Sequence, residues 1–319
     1  LKETRAYNFL HLNKIKSVPE TIWADKNLNF GLFEWIHGKE INKISDYHIS
    51  CATEFVKSLA KLSKNTSCKD FESASAACLS GQMIEEQIRN RYKTIYEFSD
   101  FNSELRSFLE IDFTNAFENF LYKSKKMWPG NFDAYLSDSD QLLSPSDFGF
   151  HNTLLTKDGL MFFDFEYFGW DDPTKLSCDF MLHPGMTLTD EQKKLWLREM
   201  KEIFSEDTSF SQRLNASYCL YGLCWCLIQL NVFSTSERKK RNLAAEIHNL
   251  SNARSKKAKQ AKNGKHVQII DNVQGLDGAK EDGRYLVQPP LVARDAALLE
   301  GSLRSRGFSG VVGCREPVT

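Results

Sequence analysis

Several common architectures are excluded by what this 319-residue chain lacks. Its 8 cysteines include no Cys-x-x-Cys pair, so neither a zinc ribbon nor a disulfide framework is expected, and the reducing cytosol is the simplest compartment. No apolar run near Leu1 resembles a secretory leader. The longest apolar stretch, Ala216 to Phe233, carries Ser217, Tyr218, Gln229 and Asn231, so it reads as a buried core helix and no membrane partner is expected. Large side chains are missing from the end of the chain. Residues 264–319 hold only Tyr285 and Phe308 as aromatics but 8 of the 17 glycines, too little to build a core.

The formal net charge of -1 hides a strong asymmetry. Ten Lys or Arg against Glu237 and Glu246 give residues 236–266 a local charge of +8. The remainder sums to -9. A basic run of this kind can grip nucleic acid, but a solvated helix end leading into a tail explains it more simply. The division expected is a small N-terminal portion over 1–38, a mainly helical portion over 39–245, a basic connector over 246–266 and a poorly structured tail over 267–319. The chain starts at Leu1, without Met, inside a helical pattern, so further N-terminal sequence is expected upstream.

Hydrophobic spacing predicts a helix over 1–13, an antiparallel strand pair at Thr21 to Ala24 and Phe30 to Ile36, and a helix from Asp46 to Ser63. In that helix Ile49, Ala52, Phe55, Val56, Leu59 and Leu62 form one buried stripe. Further helices are predicted over 81–98 and 103–125. Few strands against many helices implies unequal lobes.

The chemistry lies between Gln141 and Pro184. Apolar runs at Thr153 to Thr156 and Leu160 to Phe165 flank Lys157, Asp158 and Gly159, a hairpin signal of Asp-Gly type. Counted outward from Asp158, Asn152 and Asp164 meet at the open end, about 5 Å apart, and offer two oxygen ligands to one hard cation. Asp147 enters on the preceding loop, where its carboxylate could contact a substrate hydroxyl. With 20 Asp and 19 Asn, an Asp followed five places later by Asn is expected about once by chance, so the spacing alone carries nothing. The conjunction of loop Asp, chelating Asn, hairpin, Asp-Phe-Glu and the later Asp171, Asp172 and Asp179 suits a magnesium-nucleotide site.

These residues resemble the aminoglycoside phosphotransferase and choline kinase superfamily. Ser146 to Asn152 (SDFGFHN) looks like its catalytic loop, and Phe163 to Glu166 (FDFE) like its metal-binding strand. The resemblance covers approximately residues 1–245. It implies an α+β, protein-kinase-like two-lobe fold with a truncated N-terminal lobe and a mainly helical C-terminal lobe. The implied reaction is transfer of the γ-phosphoryl group of ATP, or another nucleoside triphosphate, to a hydroxyl of a small molecule. By the same resemblance Asp147 is the catalytic base, Asn152 and Asp164 hold Mg2+, and Asp179 supports the catalytic loop. The strand and hinge meeting adenine would be Leu32 to Ile36 with Phe33, Glu34 and Trp35, and Glu3 would pair with a phosphate-binding lysine.

The family's usual His-Gly before the catalytic aspartate is Pro145-Ser146 here, and the phosphate-covering loop and its lysine belong upstream of Glu3. A catalytically impaired, pseudokinase-like binding protein is therefore an alternative, and nucleic-acid binding through 236–266 is a second one. Glu166, Tyr167, Trp170 and Asp171 could line the acceptor pocket. A cationic amine caged by aromatics, or a sugar, fits there equally well. None of the 7 histidines is assigned a role.

Overall fold

A computed structural model describes residues 2–25, 27, 30–64, 70–99 and 102–231. The basic run, the expected connector and the glycine-rich tail lie outside the described residues. The described chain falls into two compact units, one comprising 1–83 and 128–217, the other 84–127 with the segment from Tyr218 onward.

The first unit begins with helix α1 (Lys2–Leu12), followed by the antiparallel pair β1 (Thr21–Asp25) and β2 (Phe30–Phe33). The predicted second strand is shorter than expected, and 34–38 continue without regular secondary structure. Gly38 is required where this segment passes the later strand β5 (Thr153–Thr156), since a Cβ there would stand 2.8 Å from Leu154 Cβ. Strand β3 (Lys39–Glu40) then pairs with β5.

Helix α2 (Asp46–Ser63) starts where expected because the Ser45 backbone N–H donates to His48 Nδ1 at 3.1 Å, satisfying a group that the helix leaves open. All six predicted stripe residues are buried. The hairpin β5 (Thr153–Thr156) and β6 (Gly159–Phe162) follows, and β4 (Leu142–Ser144) pairs with β7 (Gly169–Asp171). Helix α6 (Pro173–Leu182) is capped by Asp172, which accepts from the Thr174 N–H at 2.8 Å, with Pro173 in the first turn. Thr189 and Gln192 form a reciprocal capping box for α7 (Asp190–Ile203).

The core behind the catalytic segment is aromatic. Phe148 and Phe150, two apart, both turn inward. Phe148 meets Phe55, Phe162 and Phe180, and Phe180 stacks on Trp196 at 3.7 Å. This alternation leaves Asp147 and His151 on the opposite side, so hydrophobic burial of two phenylalanines positions the polar groups that flank them.

In the second unit, α3 (Gly81–Glu97) packs Tyr92 against Phe113, and Arg89 covers the Phe117 ring. The single helix expected over 103–125 is interrupted. Between α4 (Ser103–Ser107) and α5 (Thr114–Met127), Phe108–Phe113 adopt π-helical spacing. The Thr114 hydroxyl donates to the Leu109 carbonyl at 2.8 Å, and Tyr92 reaches the same carbonyl. A side-chain donor drawn into the ladder widens the turn. The predicted core helix is α8 (Phe210–Leu230), and among the described residues no helix is long and apolar enough to cross a membrane.

Candidate active site

The site is assembled wholly within the first unit. Ser146 has φ +69°, a left-handed conformation that costs a serine about 1–2 kcal/mol and that a glycine would adopt without that cost. Here the Ser146 N–H donates to Ser144 Oγ at 3.0 Å and its hydroxyl to the Ser75 carbonyl at 3.4 Å, which offsets the strain. The chain then presents Asp147 beside a short 3-10 turn, Phe150–Asn152. Gly149 is needed for close approach, because a Cβ would stand 2.7 Å from Met186 Sδ and 2.8 Å from His151 Nδ1.

Asn152 is brought to Asp147. Its Nδ2 donates to the Asp147 carbonyl at 3.1 Å and approaches Oδ2 at 3.4 Å. Its other amide atom, Oδ1, accepts nothing among the described residues. The hairpin differs from expectation by one residue. Its turn is Lys157-Asp158, Thr153 pairs with Phe162, and the Phe163 N–H donates to the Asn152 carbonyl at 3.1 Å. Asn152 therefore faces Phe163 and not Asp164, and β6 ends before the predicted strand does. Asp164 has φ +68°, so the chain turns out of the strand there and the side chain leaves the alternation of the hairpin. A short polar side chain tolerates this conformation better than a bulky one.

Asp164 is exposed, and its carboxylate accepts no hydrogen bond among the described residues. Partial desolvation first, then the charges of Glu166, Glu3 and Asp147, lift its carboxyl above the ordinary range. An amide oxygen and a carboxylate, both unused, in a field of like charge, fit a hard cation that takes oxygen ligands. Magnesium is thus chemically compatible with these residues.

Tyr7, which carries no expected role, and Glu3 tie the turn to α1. Tyr7 is 1% exposed. Its hydroxyl donates to Glu3 Oε1 at 2.6 Å and accepts from the Asp164 N–H at 2.9 Å. The Phe165 N–H donates to the same Glu3 oxygen at 3.3 Å. Burial, and then the Glu3 carboxylate, hold the Tyr7 phenol well above its usual pKa, so it remains a donor at physiological pH. Glu3 is thereby brought to the Asp-Phe-Glu segment.

The histidines are the larger surprise. His151 Nε2 lies 2.9 Å from Asp147 Oδ1, and His183 Nε2 lies 3.7 Å from the same oxygen. The two imidazoles stack at 3.6 Å with an 8° interplanar angle. Burial alone would raise the Asp147 carboxyl. The His151 hydrogen bond, the two imidazoles and the Asn152 amide outweigh that and hold it below the ordinary carboxylate range. His151 stands four residues after Asp147 and could have been noticed. His183 is 36 residues away, and no spacing signals it.

Other expected residues are scattered. Asp171 is 1% exposed, and its Oδ1 accepts from the Cys78 and Asp172 N–H groups, both at 2.8 Å. This corrects its assignment to an acceptor pocket, because a solvent-borne molecule does not reach it. Burial pushes its carboxyl up to about 6 in spite of Lys175 nearby. Glu166 and Tyr167 are exposed, and Trp170 is half-buried in β7, its N–H donating to the Glu72 carbonyl at 3.0 Å. Asp179 holds Lys175 at 2.8 Å on α6. In the expected adenine segment the Glu34 N–H is already bonded to the Glu20 carbonyl at 2.9 Å, Phe33 packs edge-on against Tyr7, and Trp35 is 83% exposed.

No protein-family model and no curated protein sequence matches this chain. Solved structures do. A choline/ethanolamine kinase family protein from Mesorhizobium loti is similar with a TM-score of 0.51 at 14% identity, over 94% of this chain and 84% of that one. A spectinomycin phosphotransferase, solved with ADP and spectinomycin, is similar with a TM-score of 0.51 at 12% identity, over 93% of this chain and 82% of that one. At such identities the likeness is one of fold: the chain has the α+β, protein-kinase-like fold of the choline/ethanolamine kinase and aminoglycoside phosphotransferase structures.

Proposed function

We propose that this protein is a phosphotransferase that moves the γ-phosphoryl group of ATP, or of another nucleoside triphosphate, onto a hydroxyl of a small molecule in the cytoplasm. The observation that carries the reading is the grouping of Asp147, Asn152 and Asp164, with Asn152 bonded directly to Asp147 and the two carboxylates within electrostatic reach of each other. The shared fold supports it.

Phosphoryl transfer passes through a loose transition state, so the protein's task is to position groups and balance charge. Asp147 Oδ2 accepts the hydrogen bond of the acceptor hydroxyl, aims its oxygen in line with the phosphorus and takes the proton late. A carboxyl held below its ordinary range remains ionised and able to accept at neutral pH. Asn152 Oδ1 and the Asp164 carboxylate would hold magnesium, which supplies neutralisation of the phosphate oxygens. Glu3, tied to Phe165, and the backbone of Phe33 to Trp35 face the nucleotide in this reading. With the Glu34 N–H engaged by Glu20, the backbone donor to adenine is Trp35 or a later residue. In this reading Glu166, Tyr167 and Trp170 line the acceptor side, and Asp179, whose carboxylate accepts from Lys175 within α6, supports the catalytic loop.

Titration calorimetry of ATP with and without magnesium tests the metal assignment. Binding is expected to depend on magnesium and to weaken at least about tenfold in Asp164→Ala, the loss of one charged ligand. Metal-independent binding of equal strength in both proteins would overturn it.

A further inference from the structure

The Asp147, His151 and His183 cluster invites a metal-site interpretation, since their ligand atoms lie within 4.8 Å of one another. Proton placement argues against it. The Gly185 N–H donates to His183 Nδ1 at 3.0 Å, so that nitrogen is an acceptor and the ring proton resides on Nε2, the atom facing Asp147. His151 Nδ1 is buried with no hydrogen-bond partner among the described residues. A proton there would be an orphaned buried donor, which costs about 1–3 kcal/mol. The His151 proton therefore also resides on Nε2, as a donor to Asp147 Oδ1 at 2.9 Å. A metal on either Nε2 would displace that proton onto a nitrogen that is already accepting or has no acceptor.

We infer that His151, braced by His183, is a positioning residue for Asp147. It occupies Oδ1 with an imidazole N–H and leaves Oδ2, where Asn152 Nδ2 stands at 3.4 Å, for the acceptor hydroxyl. The brace is built into the packing. The segment after α6 lies against the catalytic loop, with the Phe150 N–H donating to Met186 Sδ at 3.0 Å. A Cβ on Gly185 would stand 2.8 Å from the His183 ring and 3.2 Å from His151 Cβ. The parallel stack of the two rings then limits His151 to one orientation. The carboxylate plane is fixed before an acceptor arrives, and this lowers the orientational cost of reaching the in-line geometry.

The inference rests on the phosphotransferase reading, and two measurements separate them. In steady-state assays with an accepted hydroxyl substrate, His151→Phe keeps a ring on His183 but removes the donor. It is expected to lower kcat by about tenfold to a hundredfold with acceptor KM within about twofold, while His151→Gln, which restores an N–H donor, recovers most of the loss. A kcat unchanged in His151→Phe, with wild-type turnover still abolished by Asp147→Asn, would overturn the positioning role and leave the base assignment standing. Independently of any acceptor, long-range 1H–15N spectra of the histidine-labelled chain are expected to show both rings as Nε2–H tautomers. An Nδ1–H tautomer at His151 would overturn the inference whatever the kinetics. Absence of any transfer by the wild-type chain would overturn the phosphotransferase reading and, with it, the catalytic use of this arrangement.

Discussion

Asp147 carries two oxygens with different surroundings. Oδ1 faces His151 and His183, and among the described residues Oδ2 meets only a long contact from Asn152. Asp164, by contrast, has a free carboxylate but a tightly held backbone, because Tyr7 accepts from its N–H and Glu3 accepts from that of Phe165. The Tyr7 hydroxyl is buried and serves as both donor and acceptor, so its loss orphans the Asp164 N–H. Tyr7→Phe is expected to cost about 1–2 kcal/mol of stability, measured by urea unfolding. Nucleotide-magnesium affinity should fall with it, measured by calorimetry. Asp147, Asn152 and Asp164 stand out as candidates in the sequence because the chemistry proposed for them is written in residue types within one short segment. Tyr7 and His183 do not, since each reaches the site through tertiary packing from 157 and 36 residues away. The burial of Asp171 was equally invisible, because an Asp-Asp-Pro sequence reads as a solvated turn.

At the scale of elements, periodicity served well. The α2 stripe is buried as expected, and the β5–β6 hairpin lies where its turn residues put it. The register missed by one residue because Gly159 belongs to the strand, leaving a two-residue turn. Such a slip changes which side chains oppose each other, so Asn152 faces Phe163. The interruption at Phe108–Phe113, where the Thr114 hydroxyl and Tyr92 both reach the Leu109 carbonyl, breaks a pattern whose apolar spacing reads as one helix. What holds α6 in place is a buried ion cluster. Arg213, 4% exposed, donates to both oxygens of Asp172 at 2.9 and 3.1 Å and to Asp207 at 2.8 and 3.1 Å. Arg213→Met strands two buried carboxylates and is expected to destabilise by about 3–5 kcal/mol, seen as a lower urea midpoint with unchanged slope. The pH dependence has a definite sign. Burial would raise Asp207, but Arg213 and Ser209 outweigh it and depress it. Its stabilisation is therefore present above the ordinary carboxylate pKa and lost as pH falls through the lower folded value, and the stability gap between wild type and Arg213→Met should shrink in acid. A gap that widens in acid would contradict this cluster.

For the whole molecule, the uneven composition is more informative than the averages. The acidic body of -9 and the basic stretch of +8 are separate parts of the chain, and every residue of the candidate site lies in the acidic part. A negative body favours approach of a cationic acceptor by electrostatic steering, and salt weakens that steering. The kinase-like fold was legible through about 40 residues near the middle of the chain, whereas low identity to the solved structures leaves the acceptor to be found by experiment. The most direct measurement is phosphorus NMR of ATP and magnesium with the wild-type chain and with Asp147→Asn, across a panel of hydroxyl acceptors that includes choline-like, aminoglycoside and sugar compounds. The expected result is a phosphomonoester product formed by the wild type only with magnesium, and at least about a hundredfold more slowly by Asp147→Asn. Transfer by Asp147→Asn within about tenfold of wild type, or no product from the wild type with any acceptor, would contradict the assignment of Asp147 as the base of a phosphotransferase.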